Sequence, residues 1–122
     1  MSGVYTVDST ELHQYDTIKR LVCSGNHRSI VLDVHRRLFP CSQHDQIHII
    51  FTDTIHSVDQ LHDDGDYCMN GTIIEAINDT GSEYTIYASF GGLMMMLWSE
   101  TDPRIQKNFA VCVSRKCASL KK

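Results

Sequence analysis

The sequence predicts an all-β protein, either an antiparallel sandwich or a barrel. About eight short runs with strand-like patterns follow one another at spacings near ten residues. Polar turns separate these runs, and no long stretch repeats apolar residues at the period of an amphipathic helix. The predicted strands are Gly3–Val7, Thr17–Cys23, Arg28–Val34, Gln46–Thr52, Asp66–Ile77, Tyr84–Phe90, Leu93–Trp98 and Phe109–Ser114. Such a succession is typical of antiparallel all-β domains.

Alternation and turn residues define the first half of the chain. Gly3–Val7 is expected to be an edge strand, and Thr17–Cys23 ends at a Ser-Gly-Asn turn. Arg28–Val34 places its apolar residues on one face. It stops before Pro40, because proline lacks the N–H that a central strand needs. Gln46–Thr52 then resumes the alternation, with three apolar side chains facing inward.

The second half repeats this pattern around stronger turn signals. Asp66–Ile77 is expected to bend at Gly71, and Asn78–Gly81 has the composition of a hairpin turn. Pro103 interrupts the chain before Phe109–Ser114, which closes the series. One or two short helical turns are expected, at Ser57–Leu61 and Arg104–Asn108.

The most informative segment is Tyr84–Trp98, two apolar runs joined by Gly91 and Gly92. The first run alternates, and the second is apolar without a break. The second therefore predicts either a strand covered on both faces or a short buried helix. A glycine pair in this position marks a tight bend, a bulge or a close approach by another backbone. The segment is either a hairpin in the core or, through Met94–Met96, a surface that receives a partner, since methionine adapts to irregular contacts.

Composition limits the protein to one domain over residues 1–122 and excludes several classes of function. The chain of 122 residues can bury one core, and no repeat or low-complexity linker divides it. The longest apolar run is too short to span a bilayer, and the N-terminal segment lacks a secretion signal. Five widely spaced cysteines favour free thiols in a reducing compartment.

Motifs that carry chemistry are weak throughout the sequence. There is no Cys-x-x-Cys pair, no phosphate-binding glycine loop and no nucleophile elbow, so no catalytic residue, cofactor or metal ion is expected. The net charge of −4 also argues against a dedicated nucleic-acid-binding protein. Tyr84 and Tyr87 are candidates for base stacking, and Lys19, Arg20 and Arg28 form a modest basic strip. Ordinary surface charge is the simpler interpretation of that strip.

Three blocks, taken in order, resemble one known family. The first is Ile30–Val34 followed by Leu38-Phe39-Pro40, which is similar to a Leu-Asp-Val strand ending in an aromatic-Pro corner. The second is Asp66–Gly71, and the third is Tyr87–Met95, with the sequence Tyr-Ala-Ser-Phe-Gly-Gly-Leu-Met-Met. Together they resemble the small subunit shared by the nuclear DNA-dependent RNA polymerases I, II and III. The chain departs from that family at Asn70, at Met96 and in a shortened loop over residues 54–65.

The resemblance implies an OB-type antiparallel barrel and a non-catalytic role in the nucleus. The family member docks on the largest polymerase subunit and helps to hold the assembly together, and no homo-oligomer is expected. The predicted partner interface comprises Tyr67, Met69, Asn70, Phe90, Gly91, Gly92, Leu93 and Met94. The resemblance also implies weak, non-specific single-strand contact over Leu12–Ser29, where Lys19, Arg20 and Arg28 lie. The alternatives are a stand-alone OB-fold protein that binds single-stranded nucleic acid and a thiol- or metal-dependent enzyme.

Overall fold

The computed structural model describes residues 2–12, 17–52, 67–78 and 81–115, and within these ranges it contains eight strands and no helix. The strands are β1 (Ser2–Leu12), β2 (Ile18–Gly25), β3 (Arg28–His35), β4 (Gln46–Thr52), β5 (Tyr67–Ile77), β6 (Tyr84–Phe90), β7 (Leu93–Ser99) and β8 (Asn108–Arg115). They close into an antiparallel barrel in the order β1-β2-β3-β7-β6-β5-β8-β4. The all-β prediction is confirmed, and the architecture is consistent with an OB-type barrel.

The core forms because alternate residues of nearly every strand point into the barrel. Ile30, Leu32 and Val34 on β3 are fully buried, as are Ile47 and Ile49 on β4. The largest fully buried side chains are those of Tyr5, Phe39 and Phe109. The alternation that predicted β3 and β4 therefore also predicted which of their faces lies inside.

The first strand differs from the prediction, because β1 continues to Leu12 and is not a simple edge strand. Ser2–Thr6 pairs with β4, whereas Thr6–Leu12 pairs with β2, across an irregularity between Val7 and Ser9. One strand that serves two neighbours in turn is how a small barrel closes. The sequence hides this continuation, because residues 8–11 are polar.

The expected helical turns do not appear in the described ranges. Residues 101–107 run without a helix, and Arg104 adopts a positive φ of 55° while its N–H donates to the Asp102 carboxylate. Ser57–Leu61 lies outside the described residues, as do Asp66 and part of the Asn78–Gly81 turn. The structure holds no described helix with the length and hydropathy needed to cross a bilayer.

The strand-or-helix alternative at residues 93–98 is resolved in favour of a strand. On β7, Met95, Leu97 and Ser99 are buried in the barrel. Met94, Met96 and Trp98 alternate with them and are half-buried or exposed. Within the described chain the strand is therefore covered on one face only, although its composition is typical of a strand covered on both.

Two of the cysteines differ from the expectation of free thiols. Cys68 on β5 lies directly opposite Cys112 on β8, and the two form a disulfide. Sequence spacing could not show this pair, because 44 residues separate its members and only the strand pairing brings them together. Cys23 and Cys41 are buried and are not disulfide-bonded, and Cys117 is outside the described residues.

Candidate partner interface

Three distant segments meet at one end of the barrel, which we call the hairpin end. They are Asp33–Phe39 at the end of β3, Tyr67–Gly71 in the first half of β5, and Phe90–Met94 around the β6–β7 turn. These segments contain most of the three sequence blocks singled out above. Backbone hydrogen bonds to side chains and contacts between rings tie them to one another.

Asp33 ties β3 to β2 and β7. Its side chain is 0% exposed, and both of its oxygens are used. Oδ1 accepts from Nε of Arg20 at 2.7 Å, and Oδ2 accepts from Nη2 of Arg20 and from the Met94 backbone N–H, each at 3.1 Å. The hydrogen bond to Asp33 raises the pKa of Arg20 above its ordinary value. Such two-pronged pairing satisfies a buried carboxylate.

Tyr67 ties β5 to the end of β3. Its hydroxyl accepts from the His35 backbone N–H at 3.3 Å, and its ring stacks on Phe39 with centroids 6.2 Å apart. Phe39 is itself buried, directly before Pro40. The aromatic-Pro corner therefore provides the surface on which the first residue of β5 packs.

Gly71 lies where β5 changes partner, and its backbone passes close to the ring of Phe90. Residues 67–72 of β5 pair with β8, and residues 72–77 pair with β6. A Cβ placed on Gly71 would lie well inside van der Waals contact with the ring of Phe90. Phe90 in turn packs edge-on against Phe109, with centroids 5.6 Å apart. Glycine at position 71 thus lets β5 cross over the aromatic cluster.

Gly91 and Gly92 require glycine for a different physical reason from Gly71. Gly91 and Gly92 form the turn between β6 and β7 with φ values of 67° and 105°. A Cβ at either position would meet nothing within 4 Å, so backbone conformation requires glycine there, and no close neighbour in this chain does. Both residues are exposed at the tip of the hairpin.

The eight predicted interface residues divide into two groups in this geometry. Phe90 is buried, and Tyr67, Met69 and Leu93 are partly buried against the core. The exposed members are Asn70, Gly91, Gly92 and Met94. The buried and partly buried residues pack against the core and support the hairpin end, and the exposed residues form its accessible surface.

Leu38 belongs to this surface and was missed from the sequence. It is 62% exposed and directly precedes Phe39, whose ring contacts Tyr67. The sequence contains a hint of its position, because Leu38 lies two residues before Pro40, and proline marks the place where the chain leaves the sheet. Its exposure could only be read from the structure.

The predicted nucleic-acid residues are not brought together. Lys19 Nζ donates to the Cys41 carbonyl at 2.8 Å, and Arg20 is paired with Asp33. Arg28 donates to the hydroxyls of Ser99 and Thr101. Arg28 is five residues along β3 from Asp33, the partner of Arg20, which is roughly 17 Å at strand spacing.

The two candidate stacking residues are also separated. Tyr84 and Tyr87 are three positions apart on β6, so their side chains lie on opposite faces of the strand. They therefore do not form one stacking surface. Among the described residues, no group of three or more histidine, cysteine, aspartate or glutamate side chains is placed to hold a metal ion.

Comparison with known proteins gives consistent matches over most of the chain. The family model described as RNA polymerase Rpb8 matches residues 3–111. A Schizosaccharomyces pombe protein named DNA-directed RNA polymerases I, II, and III subunit RPABC3 is 26% identical over 99 residues, covering 80% of this chain and 78% of the relative. The Caenorhabditis elegans protein named as the probable RPABC3 subunit is 25% identical, covering 71% and 72%. Its Caenorhabditis briggsae counterpart is 26% identical, covering 82% and 80%.

Proposed function

This chain belongs to the RNA polymerase Rpb8 family, and we propose that it is a non-catalytic structural subunit of the nuclear DNA-directed RNA polymerases. The observation that carries the proposal is the family match over residues 3–111, which includes all three sequence blocks. The relatives are named as subunits shared by polymerases I, II and III. The stand-alone nucleic-acid-binding alternative is not supported by these relatives.

The finer part of the proposal is that the chain docks on the largest polymerase subunit through the hairpin end. The support is physical: exposed Leu38, Asn70, Gly91, Gly92 and Met94 are held on a scaffold of buried contacts. Rigid presentation of a small apolar and polar surface lowers the entropy cost of binding. The same proposal places the protein in the nucleus, as a single copy in the assembly and as one domain.

Affinity purification of the tagged chain from its native organism tests the function itself. We expect the wild-type chain to recover the polymerase subunits, including the largest one. Reproducible absence of polymerase subunits would refute the proposal. Fractionation of the same cells tests the nuclear assignment.

Paired variants test the docking surface. Leu38→Glu and Asn70→Glu are expected to lower recovery of the largest subunit about tenfold, which is typical of residues near the centre of an interface. Each has a matched control outside the hairpin end. Val4→Glu alters an apolar residue that is 40% exposed on β1, and Asn78→Glu alters an exposed asparagine just beyond β5. Equal recovery by test and control variants, with unchanged melting, would move the interface elsewhere.

The weak single-strand contact stays a separate prediction. Lys19 and Arg20 are engaged with Cys41 and Asp33, so we expect single-strand binding to be micromolar or weaker at physiological salt. Binding measured with a labelled oligonucleotide should weaken as salt rises. Tight binding that is lost in a Lys19→Gln/Arg20→Gln variant would instead support a basic site on β2.

A further inference from the structure

An apolar face covers part of the outside of the barrel, next to the hairpin end. Its members on β3, β7 and β6 alternate with core residues, so they point away from the core, and one further member lies at a register irregularity on β5. We call it the outer methionine face: Val31 on β3, Met94, Met96 and Trp98 on β7, Tyr87 on β6, and Ile74 on β5. Met94 is 36% exposed and Ile74 is 60% exposed, while the others are half-buried.

Strand register makes this face continuous. Val31 lies opposite Met96, and Met96 lies opposite Tyr87, so the three form one row across β3, β7 and β6. On β5, Glu75 lies opposite Tyr87 and ends the row, and Ile74, at the register irregularity beside it, is 60% exposed. Bulged residues of this kind often re-aim a side chain towards a ligand or partner. The face is therefore one surface of several apolar side chains, which differs from single apolar residues scattered over a surface.

Carboxylates border the outer methionine face. Glu75 lies opposite Tyr87, and Glu83 lies beside Trp98, whose indole N–H donates to it at 3.5 Å. Glu100 follows the end of β7, and all three are exposed. Of the two arginines at the β2 and β3 side, Arg20 is paired with Asp33, whereas Arg28 donates to hydroxyl groups and keeps its charge, so three carboxylates stand against one arginine without a carboxylate partner. The border is thus acidic overall.

We propose that the outer methionine face is a second part of the docking surface, extending from the hairpin end through Met94, and that it receives a polypeptide segment of a polymerase subunit. The segment carries aliphatic or aromatic side chains at its centre and lysine or arginine at its flanks. This inference rests on the proposed function. Methionine suits such a contact because its flexible thioether packs against irregular apolar surfaces.

The acidic border selects this occupant over two others. A second copy of the chain would place its own carboxylates against these, since the whole chain carries a net charge of −4. A nucleic-acid strand would bring phosphates towards Glu75, Glu83 and Glu100. A basic, apolar peptide segment gains from both the centre and the border of the face.

Methionine oxidation by hydrogen peroxide, measured on the free chain and on the purified polymerase, tests the proposal. In the free chain we expect Met94 and Met96 to oxidise, whereas Met95, which is 1% exposed, stays reduced as a check that the barrel is intact. In the polymerase, Met94 and Met96 should be protected by about tenfold or more in rate. A Val4→Met variant, on the opposite wall, should oxidise equally in both samples. Equal oxidation of Met94 and Met96 in both samples would overturn the proposal.

Charge reversal tests the chemistry of the partner. A Glu75→Lys/Glu83→Lys variant should recover about tenfold less polymerase, and the loss should shrink as salt rises. Glu11→Lys, an exposed carboxylate on β1, is the control. If wild-type chain recovers polymerase but the charge reversals do not alter recovery, the basic partner segment is wrong and the proposed function stands. If wild-type chain recovers no polymerase, the proposed function itself fails.

Sedimentation of the free chain tests whether a second copy of the chain occupies the outer methionine face. We expect a monomer for the wild type and for Met94→Glu. A wild-type dimer that Met94→Glu dissociates would show that a second copy covers the face, and would overturn the proposal.

Discussion

Glycine is required at two places near the hairpin end, for two different physical reasons. Gly71 is required by space, since a side chain there would collide with the ring of Phe90. Gly91 is required by conformation, since its φ of 67° is costly for residues with a Cβ, while the space around it is open. The two sites should therefore respond differently to the same substitution.

Gly71→Ala is expected to destabilise the barrel by about 1–3 kcal/mol, the usual cost of overpacking. Phe90→Leu should recover part of this loss in the double variant, because it removes the ring that the new methyl group meets. At the open site the pattern differs: Gly91→Asn should cost less than Gly91→Ala, because asparagine tolerates positive φ. Urea unfolding of the five variants measures both effects. Additive losses at positions 71 and 90 would contradict the steric explanation.

The Cys23 thiol gives the barrel a pH dependence. Burial, with a smaller contribution from Cys41, raises its pKa to about 12. Because the pKa is higher in the folded state than in the unfolded state, the stabilisation is complete below about pH 9 and is lost as the pH approaches 12. The free energy of unfolding should fall by up to about 1.4 kcal/mol per pH unit in that window.

Urea titrations of the wild type and of Cys23→Ala at several pH values measure this slope. The variant lacks the thiol, so its stability should depend less on pH between 9 and 12. Identical slopes in the two proteins would show that another group is responsible. A thiol reagent at pH 8 should also leave Cys23 unmodified in the folded chain, because it is buried.

At the level of strands, the Asp33 carboxylate connects β2, β3 and β7. The β3–β7 pairing extends to Leu32 opposite Met95, and beyond it the Met94 N–H is bound by the Asp33 side chain. Replacing Asp33 leaves that N–H and the Arg20 guanidinium without this partner. On its β3 side the start of β7 is held by this side chain, and on its other side it pairs with β6.

Asp33→Ala is expected to cost about 1–3 kcal/mol, because the Met94 N–H loses its acceptor while the Arg20 side chain, 37% exposed, stays solvated. Arg20→Ala and the double variant complete a cycle, in which the double variant should lose clearly less than the sum of the single losses. Thermal melts and urea unfolding provide the energies. Hydrogen exchange should show faster exchange at Met94 in Asp33→Ala than in the wild type. Unchanged exchange at Met94 would contradict the bridging role.

The disulfide joins β5 to β8 immediately beside Tyr67 and Met69. Because 44 residues separate Cys68 from Cys112, loop closure in the unfolded chain predicts a stabilisation of about 4 kcal/mol. Reduction should therefore lower the free energy of unfolding of the wild type. A Cys68→Ser/Cys112→Ser variant, already without the bond, should not respond to the reductant. If the reductant lowered the free energy of unfolding equally in both proteins, the effect would come from another cysteine and not from the Cys68–Cys112 disulfide.

At the scale of the whole molecule, the closed pairing of all eight strands predicts one cooperative unit. Unfolding followed by Trp98 fluorescence and by far-ultraviolet circular dichroism should give coincident transitions. This is expected because Trp98 lies on β7, which pairs with β3 on one side and with β6 on the other. Two separate transitions would contradict the single domain expected over residues 1–122.

The fold was predictable from the sequence to the extent that it depends on local pattern. Alternation on β3 and β4 identified both the strands and their inner faces, because side chains of a strand alternate with a period of two. The continuation of β1 to Leu12 was not predictable, since residues 8–11 are all polar and therefore show no alternation of apolar and polar side chains. The pairing of Cys68 with Cys112 was not predictable either, because it follows from which strands are neighbours.

For the candidate interface, the sequence blocks named segments that the barrel brings together, but they did not show which of those residues are buried and which are exposed. Phe90 and Asn70 belong to the same predicted set, yet the first is buried and the second is exposed. The basic residues Arg20 and Arg28 are close in sequence and were therefore grouped. The β2–β3 hairpin places Arg20 opposite Asp33, which is five residues along β3 from Arg28. Side-chain partners such as Asp33 and Ser99 are set by register between strands, which local sequence does not encode.

The sequence alone determined the all-β class, the family resemblance and the absence of recognisable catalytic motifs, because these depend on residue types and their order. Tertiary structure alone decided that Asp33, Tyr67 and Gly71 tie three distant segments into one end of the barrel. It also decided that β7, apolar throughout, is covered on only one face within the described chain. The physical reason is that the burial of a side chain depends on which strands lie next to it, and the closed pairing of the barrel determines those neighbours.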